Sequence, residues 1–166
     1  TQLSHYFETS FFTSGKIAGF AGKEMQTFAD FLTIHHMEIG FIGRGLMNAL
    51  FSIEYGLSRK LQKFVDMGYS VINSMIDFGF INSCLYEGYT SKTEKWDSEG
   101  QFFLRRQCEG AMSLFYAVKS GIPSSEKWQT GFSKIAEYVV SLQYADGHLP
   151  HSFNSCGVVI DNSGNS

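Results

Sequence analysis

The sequence has no basic run. Its 13 lysines and arginines are scattered among 16 aspartates and glutamates, for a net charge of −3. Nucleic-acid binding needs clustered cations to neutralise phosphates, so no nucleic-acid partner is expected. Long apolar stretches are also missing. None approaches the roughly 20 residues of a membrane span, so no membrane partner is expected either. The three cysteines, Cys84, Cys108 and Cys156, stand far apart with no Cys-x-x-Cys pair. They allow at most one disulfide and show no zinc spacing. A glycine-rich phosphate loop, a Gly-x-Ser-x-Gly elbow and a His-Glu-x-x-His helix are all absent, and no cofactor is implied. Only two prolines, Pro123 and Pro150, interrupt the chain, which leaves room for long helices.

What is present is a globular composition. Hydrophobic residues make up 43% and charged residues 17%, which places the 166-residue chain outside the disordered class. Residues 1–37 have no clean period, apart from a possible short helix at 24–34. A first helical hairpin is expected over 38–79. Its first helix, 38–55, contains Gly40, Gly43 and Gly45, which suggest close backbone approach. Gly56 suits a helix end and Ser58 an N-cap. Its second helix, about 59–78, carries Leu61, Phe64, Val65, Val71, Ile72, Met75 and Ile76 at alternating steps of three and four. A long loop, 80–101, follows. A second hairpin occupies 102–143. Leu104, Cys108, Ala111, Phe115 and Val118 line one helix, and Trp128, Phe132, Ile135, Val139 and Leu142 line the next, with Trp128 read as core. Gly121 and Pro123 separate the two, with Ser124 or Ser125 as the cap. Residues 144–166 form a C-terminal loop. The non-Met start and the Asn162–Ser166 ending point to an excerpt of a longer protein.

The hairpins echo each other. Gly45 and Gly110, Met47 and Met112, and Gly56 and Gly121 are all 65 residues apart, a weak helical repeat. The segment Arg105-Arg106-Gln107-Cys108-Glu109-Gly110-Ala111 opens the second hairpin, and Gln143-Tyr144-Ala145-Asp146-Gly147-His148-Leu149-Pro150 closes it. This arrangement resembles the hairpin unit of the (α/α)6 toroids, the six-hairpin glycosidase-like superfamily. The resemblance covers about 38–155, two hairpins where a full toroid has six. It implies an all-α fold of antiparallel helical hairpins forming part of an (α/α) toroid. It also implies a carbohydrate-active protein, glycoside hydrolase-like, acting on a poly- or oligosaccharide through carboxylates. The alternative is a non-catalytic helical module binding a glycan or protein partner.

Short connections fall at one end of such hairpins and long ones at the other. The start of helix 102–120 therefore faces the long loops, where its free N–H groups favour oxygen-rich ligands. Glycoside hydrolysis needs two carboxyl groups flanking the bond. Asp146 and Glu109 are the catalytic candidates, ahead of Asp97 and Glu99. Arg105, Glu109 and Ser113 form a polar stripe at i, i+4, i+8, matched by Arg44, Asn48 and Ser52 on the first hairpin. Both stripes are expected to face one side. Trp96 and Tyr144 offer stacking faces in the long loops, and Arg105, His148 and His151 are further substrate-binding candidates. Alternatively, Asp146 simply caps its turn and Arg105–Glu109 is an ordinary helix pair. Adjacent His35 and His36 point different ways on a helix, and His148 and His151 have no third ligand nearby, so no metal site is expected.

Overall fold

The computed structural model describes residues 2–22, 36–40, 45–97, 100–123 and 126–161. Helix α1 (Gln2–Ser10) leads into a hairpin of β1 (Phe11–Ser14) and β2 (Ile17–Phe20). Gly15 turns the hairpin at φ +56°, a conformation that glycine adopts without steric cost. All four β2 residues are buried. The strand lies against the central helices, where Ser74 Oγ bonds both the N–H and the carbonyl of Ala18.

Strand β3 (His36–Glu38) precedes helix α2 (Gly45–Arg59), which folds back on α3 (Gln62–Phe78). Lys60, at φ 57°, ends α2. The apolar stripe of α3 buries Phe64, Val65, Val71, Ile72 and Met75 against Leu46, Leu50 and Ile53 of α2. The backbones touch closely. A Cβ at Gly68 would lie 2.3 Å from the Ala49 carbonyl oxygen and 2.5 Å from Ile53 Cγ1. Backbone cannot move aside as a side-chain tip can. Gly68→Ala is therefore expected to destabilise by about 2 kcal/mol, within the range for overpacking. Urea denaturation measures this, and an unchanged midpoint would mean that the two helices separate freely.

Strands β4 (Phe80–Ile81), β5 (Cys84–Leu85), β6 (Gly88–Thr90), β7 (Lys95–Trp96) and β8 (Phe102–Phe103) fill the stretch between α3 and α4 (Leu104–Lys119). Helix α5 (Glu126–Ser141) packs on α4, and β9 (Ser152–Phe153) and β10 (Val159–Asp161) follow. The pairings are antiparallel: β1 with β2, β4 with β5, β3–β6–β7, and β8–β9–β10. One core runs under α2–α5 and the N-terminal hairpin, with a smaller cluster of Cys84, Phe102 and Phe153 beside it. No described helix is long and apolar enough to cross a membrane.

The expected all-α toroid is corrected by this architecture. Five helices and ten strands are described, with 53% of the described residues helical and 19% in strands across four sheets. The fold is mixed α/β, and the helical-repeat toroid does not describe it. The strands are two to four residues long, too short to show a period in the sequence. They lie where the sequence suggests loops, because backbone N–H and C=O groups of a long packed connection must find partners. Residues 2–10, expected to be irregular, are helical.

Smaller expectations shift as well. Gly56 lies inside α2, where a Cβ would strike Val65 and the Leu61 carbonyl, and it does not end the helix. Ser58 bonds back to the Tyr55 carbonyl, and the N-cap position of α3 is Leu61. Gly40 and Gly45 do mark close approach: a Cβ would come within 3.0 Å of Arg106 and of Met37, respectively. Trp128 is fully buried. The 24–34 helix, Gly43, Arg44, His35, Glu99, Ser124 and Ser125 lie outside the described residues.

Candidate functional site

Three pieces of chain converge at the first turn of α4. Antiparallel pairing of β3 with β6 sets Glu38 opposite Gly88, next to Glu87, and the Ile39 N–H donates to the Glu87 carbonyl. Pairing of β8 with β9 sets Phe103 opposite Ser152, and the Leu104 N–H donates to the His151 carbonyl. The two strand contacts thus bring residues 38, 87 and 151 to the start of one helix.

Gln107 ties this junction together. It is almost completely buried. Its side-chain amide accepts from Leu85 N–H and donates to the Leu85 carbonyl, both at 2.8 Å, as a neighbouring strand would. It also donates to Glu87 Oε1 at 3.2 Å, and the Phe103 N–H donates to the same oxygen at 2.9 Å. Glu87 Oε2 is buried without a well-aligned hydrogen bond but lies 3.1 Å from Arg106 Nη1. Burial pushes the Glu87 carboxyl above the ordinary carboxylate range, against the pull of the Phe103 N–H, Arg106 and Gln107. Arg106 also reaches Glu38 Oε1 at 4.0 Å and lies over the Phe103 ring.

One turn along, Arg105 Nε donates to Glu109 Oε1 at 3.0 Å. The Arg105 side chain is 63% exposed and that of Glu109 only 18%. Glu109 also borders a small cavity of about 70 Å3 with Ile39, Met47, Met112 and Ser113. Phe103, Arg105, Arg106 and His151 line a second cavity of about 230 Å3. Of the expected site residues, Arg105, Glu109 and His151 therefore gather here. Glu38, Glu87 and Arg106 complete the cluster. In the sequence they are separate acids and one arginine of a pair, brought together by strand pairing.

The other candidates lie elsewhere. Asp146 caps its own turn: Oδ1 accepts the His148 N–H and Oδ2 sits 3.0 Å from His148 Nδ1. Those two bonds hold its carboxyl below the usual range, which suits a turn anion better than a proton donor. Gln143 and Tyr144 close the same turn through Gly147 and His148. Trp96 is stacked on Tyr86 at 5.3 Å and met edge-on by Tyr89 at 5.0 Å, so much of its ring surface is used to hold the loop. Asp97 lies 3.4 Å from His36 Nε2, and His36 Nδ1 shares a hydrogen bond with Thr90.

The second polar stripe does not share the first one's surroundings. Asn48 bonds the Tyr6 hydroxyl, and Ser52 is buried on the Phe64 carbonyl. All three cysteines are unpaired, and burial raises the Cys84 thiol to about 11, which makes it a poor nucleophile. Among the described residues no three His, Cys, Asp or Glu side chains gather as metal ligands.

A larger concavity of about 510 Å3 lies between α2 and α4, lined by Met47, Leu50, Phe51, Glu54, Tyr116 and Lys119, with Ser120. Its lining is largely apolar and offers few directed hydrogen bonds. The start of α4 is the place where polar groups converge, which makes it the candidate site.

No known family model matches the chain, and no curated protein matches it either. With a mixed α/β architecture, the expected membership among the six-hairpin glycosidases has no family evidence behind it.

Proposed function

We propose that the cleft at the start of α4 binds a carbohydrate. The observation that carries this reading is the alternation of acceptors and donors around one rim: Glu38, Arg106, Glu87, Arg105 and Glu109. Sugar hydroxyls both donate and accept, and charge-assisted bonds to them are the strong ones. The Phe103 ring supplies an apolar face beside these groups. Asp146, bonded within its own exposed turn, has no part in this reading.

Titration with a panel of neutral and acidic monosaccharides and short oligosaccharides, followed by calorimetry, tests the proposal. Arg105→Gln and Glu109→Gln are each expected to weaken binding about tenfold or more, from the loss of a charge-assisted bond. Melting should shift little, because the exposed Arg105–Glu109 pair is worth only about 0.2–1 kcal/mol. Failure of every sugar to bind, or full affinity in both variants, would remove the proposal.

A further inference from the structure

The cavity beside Phe103 has a lining unlike the rest of the cleft. Its four residues are Phe103, Arg105, Arg106 and His151, and none is acidic. The carboxylates that pair with the arginines, Glu109, Glu87 and Glu38, are not among them. The first turn of α4 adds no acidic residue, so its positive end is not offset there. The rings are fixed in place: His151 meets Phe103 edge-on at 5.7 Å, and the Arg106 guanidinium lies over the Phe103 ring at 5.4 Å. The cavity thus joins an apolar ring face to two guanidinium groups.

We propose that this cavity selects a sugar acid, a carbohydrate whose ring carries a carboxylate, with the carboxylate toward Arg105 and Arg106 and the ring against Phe103. The inference rests on the carbohydrate reading of the cleft and narrows it. Size limits the ligand, since about 230 Å3 is less than the roughly 300–1,000 Å3 of drug-sized pockets and suits a single ring. Charge limits it further. Each arginine already shares its charge with a carboxylate of the chain, so the remaining positive charge matches one negative charge better than the nearly two of a phosphate. The guanidinium fork also fits the two oxygens of a carboxylate.

Calorimetric titration of the whole chain with glucuronate and galacturonate, their methyl esters, glucose, acetate and inorganic phosphate tests this. A uronate should bind at least about tenfold tighter than its neutral methyl ester, and tighter than acetate. Arg105→Gln should abolish that discrimination while leaving the fold intact, because its side chain is largely exposed. A His151→Gln variant gives an independent arm and should weaken uronate and ester alike. Equal affinity for uronate and ester, or phosphate bound more tightly than uronate, overturns the sugar-acid inference while the carbohydrate reading stands. Acetate binding as tightly as uronate, with no binding of glucose or the esters, overturns both, since the site would then be an anion site indifferent to sugar.

Discussion

Arg106→Ala is expected to lower stability by about 3 kcal/mol at neutral pH. This is the low end of the 3–5 kcal/mol that follows removal of one partner from a buried ion pair. The low end applies because the Arg106 side chain keeps 26% of its exposure, whereas Glu87 keeps 8%. The cost comes from Glu87, whose Oε2 is left buried with no positive neighbour at 3.1 Å. The sign with pH follows from the raised carboxyl. The folded state binds the Glu87 proton more tightly than the unfolded chain does, so Glu87 contributes most below the ordinary glutamate range. That contribution is lost as pH rises through the folded value. Removing Arg106 raises the folded value further, so the damage should be largest above neutrality and shrink on acidification. Adding Glu87→Gln should recover most of the loss, since no buried charge then remains. Denaturant titrations of both single variants and the double variant at several pH values measure the coupling. A cost that is independent of pH and not relieved by Glu87→Gln would mean that Arg106 acts only by packing on Phe103.

The parts of the fold visible in the sequence are those with a long period. The stripes over 59–78, 102–120 and 125–143 correspond to α3, α4 and α5, because many successive turns repeat the same buried face. The strands carry no such signal. A two-residue strand such as Phe102–Phe103 shows no alternation, and its partner, Ser152–Phe153, lies 50 residues on. The toroid expectation failed at this point, since the connections read as open loops pair their backbones into sheets. The site was partly legible for the same reason. Arg105 and Glu109 share a helix face, and their i, i+4 spacing gives the pair directly. Glu38 and Glu87 reach Arg106 only through the β3–β6 pairing, a long-range register with no trace in local spacing. Asp146 stood out because Asp-Gly is a turn signal, and a turn is what it makes.

Trp128→Ala is expected to cost about 3–5 kcal/mol, the range for truncating a large buried aromatic, and is the most damaging single change proposed for this chain. Helix α5 has a thin buried face, with Trp128, Gly131 and Ile135 as its buried residues, so no other large ring can compensate. Trp128 is fully buried. Its ring lies 5.1 Å from that of Tyr69, and its indole N–H donates to Asn73 Oδ1 at 2.8 Å, so both contacts fall on α3. Truncation therefore leaves a cavity and an amide oxygen without its donor. Trp128→Phe separates the two contributions: it keeps most of the volume and loses only the hydrogen bond, at a net cost of about 1 kcal/mol. Helix α5 also holds the C-terminal strands, through Tyr138 packed on Phe153 and bonded to the Asn154 carbonyl. Loosening of α5 should therefore reach β9 and, through it, His151 at the candidate site. Hydrogen exchange on Trp128→Ala should show faster amide exchange over 126–161 than over α2 and α3. Uniform exchange across all the helices would instead mean that α5 and the site unfold only with the whole molecule, and that sugar binding is not coupled to this helix.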